Sequence, residues 1–504
     1  MTIRPRTTGR GRVGVVLLAL VALMAFAVPA TAAPPSAGPP PGAPAAERCA
    51  ALVGSTVKVD SGRAVIDTAT VVPAADGTPE NCDIGGRIGD IGFRMQFPTE
   101  SWNQRYFQTG CGGFCGYIPI DSCGDALSRG YAVAAEDSGH QGQSDGSWAF
   151  NDRRAEIDWG YRSPHVVAVA AKQYIQQFYG QAPAYSYFQG CSTGGRQALS
   201  EAQRYPDDFD GIVAGAPALY QNYLAPLSQG HLETVNRRAD GTVILPGTKA
   251  PVVAAAALAR CDDLDGVVDG VLADPEGCDF DPGTLLCPGD VDQPDCLTSD
   301  QVEVVRAFYA PPVDDRGRQL YPGGLVVGSE AGWPGWSIGT DTALSGGGNY
   351  AQQVLQYLAF PRDPGPDYSL FDFDPTRDAP KLRSMAKIYN ADQVNMQRFE
   401  RSGGKLLVWH GWADPLITPE GTINYVRDAV AANGGRAATE DWMRLFLLPG
   451  VYHCAGGPGE DTVDWLTAIE RWVEHGEAPD QVTASKLADG DVVSTRVVPE
   501  YVAG

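Results

Sequence analysis

The clearest chemical signal of the sequence lies in residues 190–194, Gly-Cys-Ser-Thr-Gly. They fit the pattern Gly-x-Ser-x-Gly, after an apolar run typical of a strand and before a run typical of a helix. In that context the pattern predicts a sharp turn that exposes a serine hydroxyl, next to a helix start that favours negative charge. We therefore predict that Ser192 is a nucleophile. The alternative is a glycine-rich structural turn.

A serine nucleophile needs a base and a carboxylate that orients this base. In strand–turn–helix enzymes of this kind they follow in the order serine, acid, histidine. Asp414 follows the strand-like run 405–409, and His453 follows the strand-like run 445–448. The order therefore predicts a catalytic triad of Ser192, Asp414 and His453.

The other histidines give one competing base. His140 lies in a loop after another strand-like run and is the main alternative to His453. His165 and His475 fall in helical patterns, and His410 directly precedes the segment of the candidate acid, so we expect structural roles for these three.

Two cysteines adjoin the predicted triad. Cys191 precedes Ser192, and Cys454 follows His453. A hydrogen bond between the serine and the histidine would bring these cysteines to the Cα separation of a disulfide, about 5.5 Å. The adjacency favours His453 as the base, unless it is a coincidence among the eleven cysteines.

Acyl transfer forms an oxyanion that two backbone N–H groups must stabilise. One predicted donor is the amide of Thr193, directly after the nucleophile. The other is expected from the glycine-rich run 109–116, which follows a strand-like run and offers Gly112 and Gly113. The alternative is a flexible loop tied by a disulfide.

An aspartate-rich run at residues 261–271 is a candidate calcium loop. Calcium prefers about six to eight oxygen ligands, and closely spaced carboxylates and backbone carbonyls can supply them. The run is no EF-hand, because Ala273 stands at the position of the closing glutamate. From the residues alone, a solvated turn is an equal alternative. The candidate ligands are Asp262, Asp265, Val267, Asp269 and Val271.

The elements that must position these residues alternate between strand and helix from residue 105 onward. Such alternation predicts an α/β fold with a parallel sheet and helices on both faces. The pattern stops in residues 219–385, which are rich in Asp, Gly, Pro and Cys and are predicted to form an inserted lid domain. The sheet domain is thus expected in two parts, residues 47–218 and 386–504.

The amino terminus predicts export. Four arginines precede the apolar run 13–28, and a small-x-small pattern follows at residues 30–32. This arrangement is typical of a signal peptide over residues 1–32, since the run is shorter than the roughly 20 residues of a membrane span. Residues 33–46 are rich in Pro and Ala and are predicted to be a linker. In an exported chain, eleven cysteines indicate a disulfide framework with one cysteine left over.

The net charge limits the partners of the protein. It is −23 for the whole chain, and becomes more negative once the leader arginines are removed. Such a chain repels nucleic acid and anionic membranes, so neither is an expected partner. A small aromatic ester, or an ester released from a polymer outside the cell, is the expected substrate.

Four motifs together resemble the tannase/feruloyl esterase family, which includes mono(hydroxyethyl) terephthalate hydrolases. The resemblance covers about residues 47–500, and it implies an α/β-hydrolase fold with a lid, a Ser-Asp-His triad, a structural Ca²⁺ in the lid and carboxylic ester hydrolysis. The motifs are Gly-Cys-Ser-Thr-Gly-Gly at 190–195, the Asp-rich loop at 261–271, His-Gly-Trp-Ala-Asp at 410–414 and Tyr-His-Cys at 452–454.

The resemblance also implies a set of disulfides, with one departure from the family. The oxyanion loop carries Cys111 and Cys115, with Cys123 nearby, where family members are expected to have other residues. Two of these three can pair, and the departure leaves the second oxyanion donor open. The implied bridges are Cys191–Cys454, Cys49–Cys82, Cys261–Cys278 and Cys287–Cys296.

The predicted activity is two-step hydrolysis of an aromatic ester by a secreted serine esterase. The lid is expected to supply the acyl pocket, and its aromatic candidates are Trp333, Trp336, Tyr350 and Tyr357. A peptidase or lipase on the same fold remains an alternative. So does a calcium-stabilised binding protein whose triad is idle.

Overall fold

A mixed sheet of ten strands organises the computed structural model, which describes residues 43–502. The predicted leader and most of the predicted linker lie outside the described residues. A second, three-stranded sheet lies near the carboxyl terminus. The strands are β1 (Thr56–Val59), β2 (Gly62–Val72), β3 (Asn81–Ile88), β4 (Ile91–Pro98), β5 (Arg105–Thr109), β6 (Ala132–Glu136), β7 (Tyr185–Cys191), β8 (Gly211–Gly215), β9 (Lys405–Gly411), β10 (Met443–Leu448), β11 (Thr462–Val463), β12 (Gln481–Ala488) and β13 (Asp491–Pro499).

Helices connect the strands, and short helices joined by loops make up the chain between β8 and β9. No helix of the described range has the length and apolar character that a membrane span requires. The α-helices are α1 (Ala45–Ala50), α2 (Gly124–Ser128), α3 (Arg153–Ile157), α4 (Ser163–Tyr179), α5 (Thr193–Arg204), α6 (Gln221–Tyr223), α7 (Gly230–Val235), α8 (Ala250–Cys261), α9 (Ser299–Tyr309), α10 (Trp333–Trp336), α11 (Gly346–Tyr357), α12 (Pro375–Asp378), α13 (Arg383–Tyr389), α14 (Gln397–Ser402), α15 (Pro419–Ala432), α16 (Arg436–Thr439) and α17 (Trp465–His475).

The large sheet has an antiparallel half and a parallel half. Its order is β1-β2-β3-β4-β6-β5-β7-β8-β9-β10, and the six strands from β6 to β10 in that order run parallel. Strands β6, β8 and β10 are buried along their whole length, as expected where helices cover both faces. Strand β4 instead alternates between buried and half-buried residues. The predicted α/β class is confirmed.

Two apolar cores hold the helices against the sheet. One core contains residues of α4, α5 and α15, and the other contains residues of α2 and α17. Helix α17 begins at Trp465, because Asp464 caps it by accepting a hydrogen bond from the Thr467 amide at 3.0 Å. The helices therefore lie on both faces of the parallel half, which fixes where its loops emerge.

The segment between β8 and β9 contributes no strand to either sheet in the described chain. One apolar cluster lies around α7, α8 and α9. A second, around α11 and α13, also contains residues from the chain that follows β5 and β6. The predicted lid, residues 219–385, falls within this segment, and its boundaries stay predictions.

Candidate active site

Ser192 lies at the junction of β7 and α5, in a backbone conformation that few residues other than glycine adopt. Its φ is 64° and its ψ is −121°. The turn is possible because glycines adjoin it: a Cβ on Gly190 would lie 2.5 Å from Gly194, and one on Gly195 would lie 2.2 Å from the Gly215 carbonyl. A strained residue of this kind is typical of functional sites, and here it holds the serine side chain at the carboxyl end of the strand.

The imidazole of His453 joins the serine to the candidate acid. His453 Nε2 lies 2.9 Å from Ser192 Oγ, and His453 Nδ1 lies 2.7 Å from Asp414 Oδ2. Because the carboxylate only accepts hydrogen bonds, Nδ1 carries the proton and Nε2 is free to accept the serine hydroxyl. The three predicted triad residues thus form one continuous chain of hydrogen bonds.

Asp414 is completely buried but fully partnered. Its Oδ1 accepts hydrogen bonds from the amides of Leu416 at 2.8 Å and Ile417 at 2.9 Å. Burial raises its pKa, but His453 and His410 together outweigh this effect and hold the pKa below its ordinary value. The carboxylate therefore stays charged and holds the imidazole in the tautomer that accepts a proton from the serine.

His410 contributes a contact that the sequence did not indicate. Its Nε2 donates to the Ile417 carbonyl at 2.9 Å and faces Asp414 Oδ2 at 3.2 Å, while its Nδ1 accepts from the Thr422 hydroxyl at 2.8 Å. The ring is completely buried. His410 thus contacts the carboxylate of Asp414, in keeping with the structural role that we expect of it.

His140, the competing base, is not joined to the serine. Its Nε2 lies 2.7 Å from the carbonyl oxygen of Phe114, and its ring stacks on Trp148 with centroids 3.8 Å apart. Burial lowers its pKa to about 4. A neutral, packed imidazole without contact to Ser192 has no access to the proton that a general base must take.

The three candidate oxyanion donors face the same cavity as the serine. The hydroxyl of Thr193 donates to the Gly113 carbonyl at 2.6 Å, which ties the glycine-rich loop to the nucleophile turn. No hydrogen bond within the described chain uses the amide of Gly112 or Gly113. The loop is also closed by a bridge between Cys111 and Cys115, while Cys123 is a buried free thiol.

Five disulfides cross-link the described chain, and four of them are the bridges that the family resemblance implies. Cys191 and Cys454 are joined with their Cα atoms 5.9 Å apart, beside the serine and the histidine. The bridge therefore links the two loops whose side chains form the Ser192–His453 hydrogen bond. The others are Cys49–Cys82, Cys111–Cys115, Cys261–Cys278 and Cys287–Cys296.

A cavity of about 520 Å³ opens above Ser192. Trp336 and Tyr350 line it, and the Trp336 ring lies 6.2 Å from the His453 ring. Trp333 instead packs in the core of the α7–α9 region, and Tyr357 packs against Phe150. Sequence patterns gave no signal for the remaining polar and apolar side chains of this cavity, among them Gln221, Leu224, Gln229, Leu416 and Ile417.

The aspartate-rich loop follows α8 and is closed by the Cys261–Cys278 bridge. Asp262, Asp265 and Asp269 each accept a hydrogen bond from a nearby backbone amide, and Asp269 also pairs with Arg496 at 2.7 Å. Three carboxylates and the carbonyls of Val267 and Val271 are the oxygen ligands that calcium prefers. The carboxylate oxygens of Asp262, Asp265 and Asp269 are less tightly grouped than the ligand atoms of another cluster. That cluster consists of His165, Glu201 and Asp208, whose ligand atoms lie within 4.8 Å of one another.

Comparisons with known proteins agree along most of the chain. The sequence profile of the family described as "Tannase and feruloyl esterase" matches residues 80–503. An uncharacterised esterase of Xanthomonas campestris is 34% identical over 91% of this chain and 88% of its own length. Mono(2-hydroxyethyl) terephthalate hydrolase of Piscinibacter sakaiensis is 32% identical over 83% of this chain and 80% of its own. The crystal structure of feruloyl esterase B from Aspergillus oryzae has a TM-score of 0.79 and 26% identity, covering 88% of this chain and 93% of that one.

Proposed function

Since the chain belongs to the tannase and feruloyl esterase family and is a carboxylic ester hydrolase, we propose that it is a secreted serine esterase that cleaves aromatic esters. The observation that carries this proposal is the chain of hydrogen bonds from Asp414 through His453 to Ser192, on a strained turn beside a cavity. Family membership favours ester hydrolysis over the peptidase, the lipase and the idle binding protein that the sequence left open.

In the proposed first half-reaction, His453 Nε2 takes the hydroxyl proton as Ser192 Oγ attacks the ester carbonyl. The oxyanion is stabilised by the amide of Thr193 and by that of Gly112 or Gly113. The Asp414 carboxylate stabilises the imidazolium. His453 then gives its proton to the departing alcohol, and the acyl group stays on the serine oxygen.

In the second half-reaction, a water molecule enters where the alcohol left. His453 takes one of its protons, and the resulting hydroxide attacks the acyl carbonyl. Collapse of the second oxyanion releases the carboxylic acid, and the proton on His453 returns to Ser192 Oγ. The enzyme is regenerated with its charges unchanged.

Three observations support an aromatic substrate and an extracellular location. Trp336 and Tyr350 provide flat apolar surface in the cavity, and aromatic ligands favour such pockets. The relatives are named for terephthalate and feruloyl esters. Five disulfides suit an oxidising compartment, in line with the predicted signal peptide.

We further propose that the aspartate-rich loop binds a structural Ca²⁺ through Asp262, Asp265, Asp269 and the carbonyls of Val267 and Val271. When bound, the ion would neutralise and cross-link the loop and would take no part in the chemistry. Calcium at about one hundred times its Kd should raise the free energy of unfolding by about 2.7 kcal/mol relative to a chelator. Asp265→Asn should lose this increment and its neighbour Asp263→Asn should keep it. An equal melting temperature with and without calcium would refute the site.

The function is tested by assaying the wild type and Ser192→Ala against methyl gallate, methyl ferulate, p-nitrophenyl acetate and a terephthalate monoester. We expect turnover by the wild type and none above background by the variant. Ser144→Ala is the matched control, because Ser144 lines the same cavity but is exposed and unconnected to His453. Failure of the calcium-replete wild type on every ester, or full activity of Ser192→Ala, would overturn the proposal.

A further inference from the structure

Two glutamine side chains in the active-site cavity have polar atoms without partners. Gln221 is 1% exposed, and neither its Nε2 nor its Oε1 makes a hydrogen bond within the described chain. Gln229 is 4% exposed, its Oε1 is equally unpartnered, and its Nε2 makes only a long contact of 3.4 Å to the Leu416 carbonyl. Both line the cavity above Ser192 and belong to one helical run.

The hydroxyl of Tyr350 lies beside Gln221 but does not meet the geometry of a hydrogen bond with it. Burial raises the pKa of the Tyr350 hydroxyl to about 12, although nearby groups, the amide of Gln221 among them, lower it. Its hydrogen bond goes to the Gly113 carbonyl, however, at 3.4 Å. The amide of Gln221 is thus left facing the cavity with one donor group and one acceptor available.

Buried polar groups in native proteins are almost always paired, and an unpaired one in a binding cavity indicates a partner on the ligand. The two side chains offer two carbonyl oxygens, which need donors, and one NH₂ group, which needs an acceptor. Exchanging the oxygen and nitrogen of Gln221 does not alter this inventory. A hydroxyl both donates and accepts, whereas a carboxylate only accepts and would leave the carbonyl oxygens unpaired.

The charges around the cavity also disfavour an anionic ligand. No Lys or Arg side chain is among the described residues that line it. Arg196, which lies near Tyr350, is completely buried and donates to the carbonyls of Trp159 and Gly160 instead. The whole chain carries −23. A carboxylate entering this cavity would lose its hydration without gaining a cation.

We propose that Gln221 and Gln229 form a subsite that binds free phenolic hydroxyls on an uncharged aromatic acyl group. The inference rests on the proposed serine esterase function and specifies its substrate class: esters of hydroxybenzoate or hydroxycinnamate type are preferred to monoesters of terephthalate. This preference would distinguish the chain from its relative mono(2-hydroxyethyl) terephthalate hydrolase, which is named for a terephthalate ester.

Three methyl esters that differ only in their para substituent test the proposal: methyl 4-hydroxybenzoate, methyl benzoate and monomethyl terephthalate. Comparing each variant with the wild type on the same ester cancels the intrinsic reactivity of that ester. In Gln221→Leu, kcat/KM for the hydroxy ester should fall about tenfold to a hundredfold. Methyl benzoate should change by less than about threefold, which also shows that the variant is folded. Gln229→Leu should give a smaller loss of the same kind.

The matched control is Gln143→Leu, because Gln143 lines the same cavity but is exposed to solvent. Its effect should not depend on the para substituent. Wild-type preference for monomethyl terephthalate over methyl 4-hydroxybenzoate, or equal losses on all three esters in Gln221→Leu, would overturn the subsite.

The subsite and the proposed function fail in different ways. Calorimetric binding of methyl 4-hydroxybenzoate and methyl benzoate to Ser192→Ala measures the subsite without turnover. Tighter binding of the hydroxy ester, lost on adding Gln221→Leu, supports the subsite even if no ester is hydrolysed. Equal binding of the two esters contradicts the subsite even if both are good substrates of the wild type.

Discussion

Two histidines follow parallel strands of the same sheet, and only one of them is placed as a base. His453 follows β10, and its two ring nitrogens contact a serine hydroxyl and a buried carboxylate. His140 follows β6, and it is stacked on Trp148 with Nδ1 lacking a partner among the described residues. The comparison teaches that a histidine in a loop after a strand is placed as a base only where a hydroxyl and a carboxylate contact its ring. The position of the histidine in the sequence does not establish these contacts.

Judged by strand order alone, His140 would be expected to lie nearer to Ser192 than His453 does. One strand, β5, separates β6 from the serine-bearing β7, whereas β8 and β9 separate β10 from β7. His453 nevertheless reaches Ser192, and the Cys191–Cys454 bridge joins the residues next to both. Strand adjacency therefore does not account for the pairing of His453 with Ser192.

The largest expected effect is the difference between the two histidines in catalysis. His453→Ala should lower kcat about 10⁴- to 10⁶-fold, as loss of the base does in other serine hydrolases. His140→Ala should lower kcat by less than about tenfold, since its ring does not touch the serine. Steady-state kinetics on methyl ferulate or whichever ester is turned over would measure both. A loss in His140→Ala as large as that in His453→Ala would break the comparison.

The next largest effect concerns Asp414, the carboxylate that contacts His453. Asp414→Asn should lower kcat about 10³- to 10⁴-fold, because an amide no longer fixes the tautomer in which Nε2 accepts the serine proton. The matched control is Asp208→Asn, since Asp208 also contacts a histidine, His165, at 2.5 Å but outside the cavity. Its kcat should stay within about threefold of wild type. Near-normal kcat in Asp414→Asn would show that the carboxylate is not the orienting group.

The arrangement of the candidate triad was predictable because its motifs encode local geometry. Gly190 and Gly195 predict the close approaches at the turn, and the order of Ser192, Asp414 and His453 follows from the strands that precede them. The contact of His410 with Asp414 was not predictable, since it depends on how a buried ring rotates within its loop.

The cavity was the least predictable part of the site. Gln221 and Gln229 lie on a helical run without a motif, and glutamine is common on exposed helix faces. Only the packing of this run above Ser192 buries their amides and makes them unusual. Likewise, the sequence left open which of Cys111, Cys115 and Cys123 pair, because that depends on how the oxyanion loop closes.

The bridge beside the triad predicts a smaller effect, on stability. Replacing both Cys191 and Cys454 by serine should lower the free energy of unfolding by about 2–5 kcal/mol, because the bridge closes a loop of 263 residues. Chemical denaturation of the double variant measures this. The control is the double replacement of Cys287 and Cys296, whose short loop lies outside the cavity. It should leave kcat unchanged, whereas loss of the Cys191–Cys454 bridge should also lower kcat. Equal kcat values in the two double variants would show that the Cys191–Cys454 bridge does not position His453.

The smallest expected effect is a pH dependence that belongs to His140. Its folded-state pKa is about 4, below the ordinary 6.5, because burial disfavours the charged ring. Unfolding therefore takes up a proton between these values, so the free energy of unfolding should fall as the pH drops from about 6.5 to about 4. The contribution of His140 to this fall should be at most about 3 kcal/mol.

His140→Gln isolates this contribution, because glutamine does not titrate but can still donate to the Phe114 carbonyl that His140 contacts. Denaturation at pH 7 and pH 4.5 should show a smaller acid loss in the variant than in the wild type. His475→Gln is the control for removal of a histidine, because this residue is exposed on α17. Identical acid losses in wild type and His140→Gln would mean that His140 is protonated without cost in the folded state. The difference between His140 and His453 would then lie only in the groups that contact each ring, and not in the pKa of His140.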